Sequence, residues 1–240
     1  MTNKDILNKA KFIQFPYNNS MYIKRYDNLN INIHKLPYFK DKEYLYKKMD
    51  KNGHHYTTEY HRNYVLPLLN ELFNFQYNIN DFKLIETITD KGDLTYLRPK
   101  KDYNYKILCF TTKEIYEGKY EILLNPDFFN NHNLTYRLLY RFPHMCSRII
   151  NLDINNNKKI FISGDSQMVP TIPVLSTYYK EVWYFDNRTG WKYNLTSNNN
   201  EMIYDKIKPF SQFYKNTNFD DVLIELYAND FSWYTDINLR

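Results

Sequence analysis

Lys158-Lys159-Ile160-Phe161-Ile162-Ser163-Gly164-Asp165-Ser166-Gln167-Met168 reads as a strand, a sharp turn and the approach to a helix. Ile160, Phe161 and Ile162 form a short apolar run of β type, Gly164 permits a sharp turn, and helical spacing resumes over residues 169–179. Pro170 and Pro173 suit a first helical turn, where an amide N–H has no intrahelical partner. The helix is therefore expected to start near Pro170, leaving Ser166 on the loop before it. A second strand, Glu181-Val182-Trp183-Tyr184-Phe185, ends at Asp186. Strand, helix and strand in succession make a βαβ unit, and that unit requires a parallel sheet. Ser166 would then lie at the C-terminal edge of the strands, where open α/β sheets bind ligands and a following helix directs N–H groups and partial positive charge. A serine presented there can act as a nucleophile. The alternative is an ordinary βα turn.

Working outward, residues 57–72 carry Tyr60, Tyr64, Val65, Leu68, Leu69 and Leu72 at spacings of three and four. They predict an amphipathic helix opened by Thr57 or Thr58, with Pro67 bending it or delaying its start. Residues 82–89, 105–111, 120–124 and 221–226 predict strands, with a turn at Lys91-Gly92-Asp93. Residues 136–150 and 202–214 predict helices, and residues 1–44 read as an irregular lead-in with short strands and Asn-rich turns. The 240 residues suffice for one large α/β domain, so a single catalytic domain over 1–240 is expected.

Composition narrows the function classes. The net charge of +5 is modest, and lysines are scattered among Asp and Glu, which argues against dedicated nucleic-acid binding. No run of eighteen apolar residues occurs, so no membrane insertion is expected, and the first fifteen residues carry Lys4, Asp5, Lys9 and Lys11 without an apolar signal core. Cys109 and Cys146 have no paired spacing, which indicates neither a disulfide framework nor a cysteine zinc site. These features point to the reducing cytoplasm. The 25 tyrosines, with many asparagines and 5 glycines, fit an AT-rich coding sequence, and an aromatic face with a polar tip also suits a sugar cleft.

A serine hydroxyl needs a base to take its proton, and a histidine held by a carboxylate is the usual solution. Leu45-Tyr46-Lys47-Lys48-Met49-Asp50-Lys51-Asn52-Gly53-His54-His55-Tyr56-Thr57 offers Asp50 and His55 as that pair. His54, His55 and His61 could instead bind a metal, but no carboxylate-rich or cysteine-containing shell accompanies them, so no metal and no cofactor is expected. A structural His-His-Tyr turn is the other reading. The last strand runs into Tyr227-Ala228-Asn229-Asp230. If that strand neighbours the Ser166 strand, Asn229 can donate its amide to an oxyanion; otherwise it is a capping turn.

Gly164-Asp165-Ser166 after one strand and Tyr227-Ala228-Asn229-Asp230 after a later one resemble the Gly-Asp-Ser and Gly-x-Asn-Asp blocks of the SGNH (GDSL) hydrolase superfamily. That superfamily usually carries Asp-x-x-His near its C-terminus, whereas the ten residues after Asp230 hold no histidine. The DHHW and alginate O-acetyltransferase-like branch places its Asp-x-His-Trp-Thr motif before the serine strand. The run from Leu45 to Thr57 is similar to that motif, with Tyr56 in the tryptophan position. Gly92-Asp93-Leu94 and the Lys180-Glu181-Val182-Trp183-Tyr184-Phe185-Asp186-Asn187-Arg188 strand also resemble the branch, and together the matches cover about residues 41–235. Departures are specific: Lys51-Asn52-Gly53 is inserted between Asp50 and His54, and Tyr227 stands where the third block has glycine. The second-block glycine is matched loosely by Gly190.

The resemblance implies an SGNH-like three-layer α/β/α sandwich with a mainly parallel central sheet. It implies Ser166 as nucleophile, His55 as base, Asp50 as its orienting carboxylate, and Asn229 and Gly190 in the oxyanion hole. Arg188 would contact substrate or pair with Asp186. The implied activity is carbohydrate O-acetyl transfer in surface-polysaccharide or glycan modification, with an acyl donor and a carbohydrate acceptor as partners. A carbohydrate acetylesterase, or an inactive glycan-binding protein of the same fold, would share these residues.

Overall fold

The computed structural model describes residues 5, 8–16, 31–37, 56–89, 92–110, 146–164, 167–186 and 217–226. It is an α/β protein built on a seven-stranded, mostly parallel sheet. The strands are β1 (Ala10–Gln14), β2 (Ile33–Lys35), β5 (Tyr105–Phe110), β6 (Cys146–Asn151), β7 (Lys159–Gly164), β8 (Glu181–Asp186) and β9 (Asp221–Glu225), in spatial order β2-β1-β9-β7-β8-β6-β5. The first five in that row run parallel; β6 and β5 are antiparallel to their neighbours. A separate antiparallel hairpin joins β3 (Phe82–Thr89) to β4 (Gly92–Pro99), with Thr89 opposite Gly92.

The parallel β7–β8 pair expected from the sequence is present, with Ile160 opposite Val182 and Gly164 opposite Asp186. Its crossover is shorter than periodicity predicts. A 3-10 turn at Val169–Thr171 leads into α3 (Ile172–Leu175), and the helix ends there. The Ser176 amide still reaches the Ile172 carbonyl four residues back, but the Thr177 and Tyr178 amides bond carbonyls three residues back, at Val174 and Leu175, and the Ser176 and Thr177 hydroxyls reinforce this tightened last turn by donating to Ile172 and Val174. One turn of helix supplies little of the dipole expected behind Ser166.

Thr57 is the N-cap of the helical segment that follows it, accepting from the Tyr60 amide at 3.1 Å. The segment runs α1 (Thr58–Tyr60), a π turn (His61–Val65) and α2 (Leu66–Phe73). Pro67 explains the widening. It has no N–H for the fourth residue back, and the preceding Leu66 amide reaches the His61 carbonyl instead, five residues back. Replacing Thr57 with Ala is expected to cost on the order of 1 kcal/mol in chemical denaturation.

Two expectations are corrected. Residues 146–150, read as the end of a helix, form β6, which pairs with β8 on one side and β5 on the other. Arg148 and Ile149 alternate between half-exposed and buried, the period of a strand. Gly92 and Asp93, read as part of a turn, instead open β4, which runs on to Pro99. The lead-in contributes β1, which lies between β2 and β9 inside the sheet.

Both faces of the sheet are buried. On one, Ile13, Ile160, Ile162, Val182, Tyr184 and Leu223 pack with Leu69 and Leu175 from the helices and Met168 from the turn before the 3-10 segment. On the other lie Phe12, Phe161, Trp183, Val222, Ile224 and Phe219. Each fully buried aliphatic or aromatic side chain contributes about 1.5–3 kcal/mol relative to exposure, so these rows fix which face each strand presents. The second face also carries Glu181, which accepts from Arg148 Nε at 2.8 Å and Trp183 Nε1 at 2.9 Å and pairs with Lys159 Nζ at 3.1 Å. Burial raises the Glu181 pKa, but the bonds from Arg148, Trp183 and Lys159 outweigh it and hold the carboxyl below its ordinary value. A depressed carboxyl adds stability above its unfolded pKa and loses it as pH falls through the folded one. Wild type should therefore lose its advantage over Glu181→Gln as pH drops below about 4.5, followed by urea denaturation across that window.

Candidate active site

The C-terminal edge of the five parallel strands is where the serine loop departs. β7 and β9 are adjacent and parallel, with Ser163 opposite Ile224. The next parallel neighbour in chain order after β7 is β8 on one side, and β9 then lies on the other, so the order reverses at β7. Ligands of open α/β sheets bind at such a reversal, beyond the carboxyl ends of the strands.

Ser166, His55, Asp50, Asn229, Gly190 and Arg188 all lie outside the described residues, as do the strand expected at 120–124 and the helix expected at 202–214. Gly164 ends β7; Gln167 and Met168 follow, both buried. The Met168 carbonyl accepts from Thr171 twice, the amide at 3.0 Å and the hydroxyl at 2.6 Å, which closes the turn into the 3-10 segment. Glu225 ends β9 and is buried, and a methyl group built on Gly164 would meet its Oε2 at 2.7 Å.

The start of α1 reaches the same edge. The Tyr56 hydroxyl donates to the carbonyl of Pro16, two residues past β1, and the Tyr60 hydroxyl donates at 2.7 Å to that of Pro37, two residues past β2. The Tyr56 ring stacks on Phe15 at 4.9 Å and on Tyr60 at 4.7 Å. Most telling is a bond across 111 positions: the buried Tyr56 amide donates to Gln167 Oε1 at 2.9 Å. The residue after His55 is thus tied to the residue after Ser166. His61, weighed as a metal ligand, is buried with its ring 5.8 Å from that of Phe15, and no His, Cys, Asp or Glu cluster able to hold a metal occurs among the described residues.

Sequence reasoning did not anticipate Gln167 or Glu225 near this edge. Their signal was available only as polar residues inside apolar surroundings. Gln14 at the end of β1 is a third, fully buried, its Oε1 without a hydrogen-bond partner among the described residues.

No family model matches the chain, and no curated protein matches it in sequence. Solved structures do match in fold. A DHHW family protein from Eubacterium siraeum DSM 15702 aligns over 92% of this chain and 79% of its own at 14% identity, with a TM-score of 0.53. Bacillus cereus PatB1 aligns over 93% of this chain and 84% of its own at 13% identity, TM-score 0.54. The same protein with a sulfonyl adduct aligns over 93% and 82% at 14% identity, TM-score 0.53. This chain shares the α/β fold of these proteins.

Proposed function

We propose that this chain is an SGNH-type serine acyl-ester enzyme, a carbohydrate O-acetyltransferase that modifies surface polysaccharide or another glycan. The hydrogen bond from the Tyr56 amide to Gln167 Oε1 carries the reading. Consecutive Cα atoms are about 3.8 Å apart, so this bond brings the chain beside His55 to the chain beside Ser166, as a Ser–His pair from distant segments requires. The adjacency of β7 and β9 supports Asn229 as an oxyanion donor, because the segment bearing it leaves the strand next to the serine strand. The shared fold with a DHHW family protein supports the branch, and burial of both sheet faces supports a three-layer α/β/α sandwich.

In this mechanism Ser166 Oγ attacks the acyl carbonyl carbon while His55 takes the hydroxyl proton. The Ser166 and Gly190 amides and the Asn229 side chain receive the oxyanion. His55 returns the proton to the leaving group; it then deprotonates a sugar hydroxyl that attacks the same carbon, the Ser166 Oγ–acyl bond breaks, and Oγ takes that proton back from His55. Asp50 holds the imidazole, and Arg188 contacts substrate. Water in place of the sugar would give hydrolysis.

The test is turnover of p-nitrophenyl acetate with and without oligosaccharide acceptors, with the acetylated product identified by mass spectrometry. Acceptor-dependent acetyl transfer is the expected result. Release of acetate alone would make the protein an esterase, and no turnover with no covalent labelling of Ser166 by a sulfonyl fluoride would leave a glycan-binding protein. A sulfonyl adduct is known in the PatB1 structure of the same fold.

A further inference from the structure

We propose that Gln167 is a positioning residue, whose side-chain carbonyl clamps the Tyr56 amide and so fixes the chain leaving His55 against the turn that carries Ser166. This rests on the Ser166–His55 reading above. The Tyr56 amide precedes the N-cap Thr57 and therefore has no partner within the helix, yet it is buried, and a buried N–H needs an acceptor. The acceptor comes from Gln167, itself buried, 111 residues away.

Both ends of the clamp are anchored independently. Tyr56 is held through its hydroxyl by Pro16 and through its ring by Phe15 and Tyr60. The backbone after Gln167 is held by the two bonds from Thr171 to the Met168 carbonyl. The Gln167 carbonyl joins the two anchored segments, residue 56 to residue 167. A general base must stay within hydrogen-bond reach of the hydroxyl it deprotonates, and a misplacement of about 1 Å costs about 100-fold in rate.

Gln167→Met keeps the side-chain length and removes the acceptor, whereas Gln167→Glu keeps an acceptor at the same reach. Each is compared with wild type and Ser166→Ala in the rate of sulfonyl fluoride labelling, in kcat and KM for p-nitrophenyl acetate, and in hydrogen exchange at the Tyr56 amide. Gln167→Met is expected to slow labelling about 10- to 100-fold and to lower kcat with little change in KM. Its Tyr56 amide should exchange faster, and Gln167→Glu should recover most of the labelling rate. Should Gln167→Met not fold, Gln167→Asn, which withdraws the acceptor by one methylene, carries the same expectations. Labelling of the variant within about twofold of wild type, while Ser166→Ala is unlabelled, overturns the positioning role alone. If wild type and Ser166→Ala are equally unlabelled, the serine-enzyme reading fails and the positioning role with it.

Discussion

Ser166→Ala is expected to lower acyl-ester turnover by at least about 10⁴-fold and to abolish sulfonyl labelling, with the midpoint of urea unfolding unchanged. The substitution removes one oxygen, the atom that forms the ester intermediate in the proposed mechanism. What remains is whatever the oxyanion donors and substrate binding contribute, which in triad enzymes is a small residue of the rate. His55→Ala should fall nearly as far, because nucleophile and base act as one unit and their losses do not add. The double variant is thus no slower than Ser166→Ala. Single-turnover measurement of p-nitrophenol release distinguishes this from a general loss of binding, since KM would rise in the latter.

Asp50 provides a graded version of the same test. Lys51-Asn52-Gly53 separates it from His54, so its carboxylate must span an insertion relative to the motif it resembles. If Asp50 holds the imidazole in the productive tautomer, Asp50→Asn should cost on the order of 10²–10⁴-fold in kcat. A change of less than about threefold would make the pair a dyad of Ser166 and His55.

The parts of the fold legible in the sequence are those fixed by neighbours along the chain. The β7 run, the β8 run and the last strand were each bounded by turn residues and filled by β-branched or aromatic side chains, and each forms as expected. The Thr57 cap was legible for the same reason, since its side chain needs only the amide three residues on. The parts that were not legible depend on distant partners. β1 gains its place from β9, more than 200 residues away, and Lys9 Nζ reaches the Phe219 carbonyl at 2.7 Å beside that pairing. β6 carries Arg148, Ile149 and Ile150, a run compatible with a helix, and it is a strand because β8 and β5 occupy both its edges. The candidate site divides in the same way. The strands that flank the candidate site, β7 and β9, were each legible, whereas their adjacency was only a condition of the Asn229 reading and is a finding of the structure. The bond that brings residues 56 and 167 together was not legible, because an internal glutamine has no pattern of its own.

Gly164 is the position where local reading named the right residue for the wrong reason, and its replacement carries the second large effect. The sequence suggested a glycine chosen for backbone freedom at a turn. In the structure Gly164 is the last residue of β7, outside the left-handed region, and what it provides is the absence of a side chain. A Cβ there would lie 2.6 Å from Met168 Cγ, 2.7 Å from Glu225 Oε2 and 3.2 Å from Glu225 Cβ, against an optimum of about 3.5–4.0 Å between carbons. Met168 and Glu225 are both buried, so neither can swing into solvent, and the Met168 backbone is held by Thr171. Gly164→Ala is therefore expected to destabilise by about 1–3 kcal/mol, or a fall in melting temperature of about 2–4 °C per kcal/mol for a chain of this class. Gly164→Val should cost more and yield little folded protein. Because relief would push Met168 and the adjoining serine turn outward, sulfonyl labelling should fall further than the loss of folded protein accounts for. Gly164→Ala combined with Met168→Ala separates the causes: the smaller side chain removes the 2.6 Å contact, so the pair should be less destabilising than the sum of the single changes. Strict additivity in urea denaturation would mean that Glu225 alone sets the limit at Gly164.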